Sequence, residues 1–375
     1  EIAPSGSESA ELLIVSSDGK VYPEVFDRCW FSTPSWMPDG NSFTYGRLNS
    51  ANVTDPNRLL NSKVYYHKLG EDPNKDVEFL SSATNPELNI GAEEFPLNLY
   101  HKNSNKNYGL VLTVDNRIKL YDTDLKDNFK PTKWINLVDK KDEVTNYNVD
   151  KEFIYYLTYK NASNYKIIKV PISDPNIEKA ETVIPEPKNG NITNFTLTKD
   201  GLYYSLTENG VQAKVFFLAK GKKEPIELKL PFQAGSASFL TVNENKSDIW
   251  ITLSGWTSPT KRYLYNPSSN TFTFQPMTKP IEYPEFKDIV SKEIMVPSHD
   301  GVMVPVSIIY NKNTKLNGDN PMLMMGYGAY GISMEPRFSS SFTLPYCTYG
   351  GIYVIAHVRG GGELGEAWHK AGFKT

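Results

Sequence analysis

Cysteine and histidine are scarce in this chain: two and five among 375 residues. Cys29 and Cys347 are too few for a disulfide framework or a thiolate zinc cluster, and they read as buried thiols. The histidines, His67, His101, His299, His357 and His369, are scattered without metal-ligand spacing, so no metal site is expected. A formal net charge of −3 gives no electrostatic case for nucleic acid or an anionic membrane surface as partner. No apolar run approaches the ~20 residues that a membrane-spanning helix requires. The compartment, periplasmic or cytoplasmic, stays open. An initiating methionine is also lacking: Glu1 begins in a polar stretch with no signal-peptide pattern, and AWHKAGFKT stops inside a helical pattern. The chain therefore reads as an internal portion of a longer protein, with N- and C-terminal parts expected elsewhere.

What is present is aromatic and repetitive. The chain is 39% hydrophobic and 13% aromatic, and its length predicts two domains. Six similar segments recur, ELLIVSSDG, SKVYYHKLG, NRIKLYDTD, NYKIIKVPISD, AKVFFLAKG and KRYLYNPSS, each alternating apolar and polar residues before a polar turn. Anchored on Leu13, Tyr65, Lys119, Ile168, Phe216 and Tyr263, they are 52, 54, 49, 48 and 47 residues apart. An aromatic-rich strand precedes most of them, as in NSFTYGRL, YGLVLTV, EFIYYLTY, GLYYSLT and DIWITLS. A period of about 40–50 residues built from strands is that of propeller blades, whereas helical solenoids would show 3.6-residue periodicity. The reading is a mainly β chain with a multi-bladed β-propeller over 1–278, about six blades of it visible. Its aromatics pack between blades.

Three prolines within nine residues, Pro276, Pro280 and Pro284, mark a linker. After it the texture changes. VSKEIMVPSHDGVMVPVSIIY predicts a hairpin turning at Ser298-His299-Asp300-Gly301. PMLMM and GIYVIAHV are continuous apolar runs, which predict strands buried on both faces of an α/β sheet. ELGEAWHKAGF predicts a helix with Leu364 and Trp368 on one face. Residues 279–375 are thus the start of an α/β domain.

Two glycine-rich turns leave that sheet. Met322–Met325 runs into Gly326-Tyr327-Gly328-Ala329-Tyr330-Gly331, where glycines permit a sharp turn or a close approach and the tyrosines carry hydroxyls into the space beyond. Gly360-Gly361-Gly362-Glu363-Leu364-Gly365 spells G-x-G-x-x-G between a strand and a helix, the context of a dinucleotide fingerprint. Against that, Glu363 would set a carboxylate where a phosphate belongs. No G-x-S-x-G nucleophile elbow exists; Gly331-Ile332-Ser333-Met334-Glu335 lacks the last glycine. If the first turn is the loop that supplies oxyanion donors, then Ser, Asp and His all lie beyond Thr375, and His357 and His369 are poor triad candidates.

Taken together, these residues resemble the prolyl oligopeptidase family of serine peptidases, which includes oligopeptidase B. FSTPSWMPDGNSFTYGRL resembles its Trp-x-x-Asp-Gly blade, and KVYYHKLGEDPNKDV its His-x-Leu-Gly segment. YYLTYKNASNYKIIKV and LSGWTSPTKRYLYN resemble later blades. GYGAYGISMEPRFSS, leaning towards oligopeptidase B, and AHVRGGGELGEAWHKAG resemble the start of its peptidase domain.

The resemblance implies a seven-bladed propeller capping an α/β-hydrolase domain and limiting access to short peptides. It implies that Tyr327 donates to the oxyanion of the tetrahedral intermediate. It also implies that Tyr330 lines the pocket before the scissile bond, and that Gly326, Gly328, Arg359 and Glu363 are structural residues near the site. Arg359 is expected to pair with a carboxylate. No cofactor is implied. The implied activity is hydrolysis of short peptides, after proline or after basic residues, by a triad outside these residues. A non-catalytic propeller scaffold carrying a hydrolase remnant is the alternative.

Overall fold

The computed structural model describes residues 1–3, 10–102, 104–277 and 279–373. Thr278, at the expected boundary, and Lys374 and Thr375, at the end of the expected second domain, lie outside them.

Among the described residues, six blade-type antiparallel sheets follow one another along the chain. The first is a pair, β1 (Leu12–Val15) and β2 (Val21–Phe26). The second holds β3 (Ser35–Trp36), β4 (Ser42–Arg47), β5 (Lys63–Lys68) and β6 (Val77–Leu80). The third holds β7 (Phe95–His101), β8 (Lys106–Leu112), β9 (Ile118–Thr123) and β10 (Ile135–Val138). The fourth holds β11 (Val144–Val149), β12 (Phe153–Thr158), β13 (Lys166–Pro171) and β14 (Glu181–Ile184). The fifth holds β15 (Asn191–Thr198), β16 (Gly201–Glu208), β17 (Gln212–Ala219) and β18 (Ile226–Glu227). The sixth holds β19 (Ser236–Thr241), β20 (Ile249–Ser254), β21 (Lys261–Asn266) and β22 (Thr271–Phe274). In each of these five four-stranded sheets, neighbours in sequence are neighbours in space. Apart from ELLIVSSDG, which is β1 of the pair, the two strand classes read from the sequence are the second and third strands of the four-stranded sheets. The fold is a β-propeller.

The chain divides into two compact units. The first comprises Glu1–Thr145, Val149–Ile154 and Val170–Ala180; the second comprises Asn146–Asn148, Tyr155–Lys169 and Glu181–Thr375. In the first, Phe26 packs edge-on against Phe43 and Tyr45, all three buried. The Tyr45 hydroxyl donates to Asp76 at 2.6 Å, and the buried His67 ring lies 2.8 Å from the same carboxylate. His67 is therefore a buried core residue held through Nδ1. The Asp39-Gly40 turn has a local cause as well: Asp39 accepts from the backbone N–H groups of Asn41 and Ser42, while Gly40 takes φ +65°.

The second unit has cores in the fourth, fifth and sixth blades, such as the stack of Tyr203 on Phe217 with centroids 4.4 Å apart. It ends in a different sheet. β23 (Ile289–Pro297) and β24 (Met303–Asn311) form the predicted hairpin, turning at Gly301 with φ +82°. β25 (Met322–Gly326) and β26 (Ile352–Ala356) are parallel, and the order is β23-β24-β26-β25. Parallel strands need a crossover, here the segment holding helix α1 (Thr343–Thr348). Ile289, Ile309, Leu344, Cys347, Tyr353 and Ile355 form its core, with Trp256 packed against it.

Two expectations are corrected. β26 is buried at Tyr353, Val354 and Ile355, but Met322, Leu323, Met324 and Met325 of β25 are all exposed. β25 is the last strand of its sheet, hydrogen-bonded on one side only among the described residues. The final helix, α2, spans only Glu366–Lys370. Leu364 lies before it because Gly365, at φ +82°, breaks the helical path.

Candidate active-site wall

The two glycine-rich turns, which start 34 residues apart at Gly326 and Gly360, are packed backbone against backbone. A Cβ on Gly328 would lie 2.4 Å from the Arg359 carbonyl oxygen, and one on Gly360 would lie 2.0 Å from the Gly328 carbonyl oxygen. Gly331 N–H donates to Gly360 O at 3.0 Å. A Cβ on Gly362 would lie 2.5 Å from Gly331 O. Only glycine satisfies these approaches. Gly326 is under less constraint: it ends β25 in register with Ala356, and its Cβ would sit 3.4 Å from Ala356 O.

The turn holds two tyrosines outward. Tyr327 is 41% exposed and Tyr330 55%. Tyr330 has φ +58° and Gly331 φ +69°. A left-handed tyrosine costs on the order of 1–3 kcal/mol, so the contacts around it fix this conformation against its local preference.

Glu363 closes the second turn from inside. It is 1% exposed, accepts from the Met334 N–H at 2.8 Å and lies 3.5 Å from His357 Nδ1. With its amide nitrogen facing the carbonyls, Asn191 of β15 donates to Glu363 O at 3.0 Å and to Thr207 O at 3.3 Å. A Cβ on Gly210 would meet the Glu363 Cβ at 2.7 Å. The close approaches allowed by G-x-G-x-x-G are thus taken up by protein: Gly360 against Gly328, Gly365 against Ser163 O at 2.6 Å from a would-be Cβ. Arg359 points the other way and pairs with Asp300 in the β23–β24 turn. That guanidinium holds the exposed Asp300 carboxyl below its usual range.

Ser307, His357 and Glu363 have the connectivity of a Ser–His–acid triad. Ser307 Oγ lies 2.8 Å from His357 Nε2, with Glu363 beyond Nδ1. They cannot serve as one. Ser307 and His357 are fully buried, and the Ser307 hydroxyl donates to Glu293 at 2.6 Å. Although Glu293 is itself an exposed residue, its carboxylate reaches the buried Ser307 hydroxyl, and desolvation at that end raises its pKa. His369 is likewise buried, 3.3 Å from Glu366. Sequence reading missed Ser307, Asn191, Gly210 and Ser163 at this wall. Only the Asn209-Gly210 turn had a local signal, for a hairpin rather than for a contact.

Comparison with known proteins fits this architecture. The family model described as "Prolyl oligopeptidase, N-terminal beta-propeller domain" matches residues 2–275. A prolyl endopeptidase of Elizabethkingia meningoseptica is 28% identical, covering 100% of this chain and 51% of the relative. Among solved structures, prolyl oligopeptidase B of Galerina marginata superposes with a TM-score of 0.82 at 23% identity, over 98% of this chain and 52% of that one. Oligopeptidase B of Leishmania major gives a TM-score of 0.77 at 19% identity, over 97% and 50%. The chain spans about half the length of the curated relatives it matches. It belongs to the prolyl oligopeptidase family.

Proposed function

We propose that these residues work within a serine peptidase that hydrolyses short peptides. The observation that carries this reading is the Tyr327–Tyr330 turn: two exposed tyrosines on a backbone fixed by glycine contacts. Acyl transfer builds negative charge on the carbonyl oxygen, and a fixed donor there is worth about 2.7–4 kcal/mol. In this reading Tyr327 is that donor and Tyr330 lines the pocket for the residue before the cut. Gly326, Gly328, Arg359 and Glu363 shape the wall. A serine, a histidine and an aspartate outside these residues supply the nucleophile, the proton transfer and its orientation.

The domain division follows the same reading, with a propeller over 1–278 and the start of the peptidase domain over 279–375. The change from antiparallel blades to a sheet with a parallel pair supports it. The exposed apolar face of β25 is what a strand flanked by further strands of a hydrolase sheet would present. The propeller restricts access to short peptides. Preference before the cut, proline or a basic residue, is a finer property of the same site. The test is hydrolysis by the full-length protein of peptide series ending in proline, arginine or alanine before the scissile bond, at increasing length. Cleavage of short members and sparing of folded proteins supports the reading; cleavage of none overturns it.

A further inference from the structure

Helix α2 has no cap of its own. Its N-cap is Gly365, which offers no side chain. The cap comes from 204 residues earlier in the chain. In the loop between β12 and β13, Ser163 accepts with its carbonyl from Glu366 N–H at 2.8 Å and with its hydroxyl from Ala367 N–H at 2.9 Å. A Cβ on Gly365 would lie 2.6 Å from Ser163 O, so glycine there is the condition of this contact. The loop is itself held. Asn164 accepts from Ile192 N–H at 3.1 Å, donates through Nδ2 to Pro187 O at 3.1 Å, and donates its N–H to Glu186 at 2.8 Å. Beside it, Lys370 of α2 sits over the Tyr159 ring at 4.7 Å.

From α2 the contacts run to the tyrosine turn without a gap. The carbonyl of Trp368 accepts from Gly360 N–H at 3.1 Å. A Cβ on Gly372 would lie 2.5 Å from the backbone of Gly360. Gly360 in turn accepts from Gly331 and bears on Gly328, the residue after Tyr327. Every link is backbone except the Ser163 hydroxyl.

We propose that Ser163 is a positioning residue for the active-site wall: a propeller loop completes helix α2, and through Gly360 fixes the turn that carries Tyr327 and Tyr330. The catalytic consequence rests on the peptidase reading; the positional one does not.

The test is hydrogen–deuterium exchange on the full-length protein, followed in peptides covering 326–334 and 358–369, for Ser163→Ala, Ser163→Thr and Asn176→Ala. Asn176 caps a short helical turn through its side chain, belongs to the other compact unit, and serves as control. Ser163→Ala is expected to speed exchange in both peptides about fivefold, the scale of one lost cap. Thr, which keeps the hydroxyl, restores protection, and Asn176→Ala leaves both peptides as they were. The proposal is overturned if 326–334 stays protected in Ser163→Ala, if Thr fails to restore it, or if Asn176→Ala loosens the same peptides equally. In peptide hydrolysis, Ser163→Ala is expected to lower kcat with KM unchanged. A full-length protein without peptidase activity would refute the function proposed above, while the exchange result would still decide the role of Ser163.

Discussion

Gly360 and Gly328 meet backbone to backbone: a Cβ on Gly360 would sit 2.0 Å from the Gly328 carbonyl oxygen. Gly301, in the β23–β24 turn, has a similar positive φ, +82° against +95°, but open space around it. The two positions separate backbone strain from steric exclusion. Gly301→Ala is expected to cost about 1–2 kcal/mol, the left-handed penalty alone. Gly360→Ala is expected to cost more than about 3 kcal/mol, because a strained residue must also displace backbone. Urea unfolding of the two variants measures the difference, and equal losses would contradict the packing of the two turns.

Tyr327→Phe removes a hydroxyl and little else. If that hydroxyl meets the oxyanion, kcat on a short peptide falls by about 10²–10³-fold with KM nearly unchanged. Tyr330→Ala is expected to act mainly on KM, since a pocket residue binds ground state and transition state alike. Steady-state kinetics of the full-length variants distinguishes the two. An unchanged kcat for Tyr327→Phe would remove it from the mechanism.

Both cysteines are buried, and burial pushes the Cys29 thiol up to about 12 and the Cys347 thiol up to about 11. The thiolate is the reactive form, so neither should react at pH 8 in the folded protein. Iodoacetamide followed by peptide mapping is expected to leave both unmodified in buffer and to modify both in urea. Rapid labelling of either in buffer would contradict its placement.

Glu293 gives a pH dependence with a defined sign. Burial raises its pKa above 4.5, so the folded state holds this proton to higher pH than the unfolded chain does. Between those values the folded state binds more protons, and this group's contribution to stability falls as pH rises. Glu293→Gln removes that contribution while keeping an acceptor for Ser307. Urea unfolding at pH 4.5 and pH 8 is expected to show a smaller loss across the interval in the variant than in the parent. The same loss in both would contradict an inward-facing carboxylate.

The second and third strands of each blade were legible because they are long enough to alternate visibly, as in GLYYSLT and AKVFFLAKG. Among the outer strands, Ser35–Trp36 and Ile226–Glu227 could not be read, since they have two residues each, too few for a period. β25 misled because an apolar run records that a strand is buried in its complete surroundings, not which residues bury it. α2 misled because the helical spacing of Leu364 and Trp368 ignores the positive φ of Gly365. The turn 326–331 announced itself by composition, since glycines alternating with tyrosines have no use in a regular strand. Its supports did not. Ser163, Asn191 and Gly210 reach the second turn from blades far away in sequence, and no local pattern encodes such contacts.

The most direct test of the peptidase reading is to treat the full-length protein with a fluorophosphonate, which labels activated serines, and to map the modified peptide by mass spectrometry. The predicted result is a single label on a serine outside these 375 residues, with Ser307 unmodified because its hydroxyl is buried and bonded to Glu293. Label on Ser307, or no label on a protein whose intact mass extends well past Thr375, would contradict it.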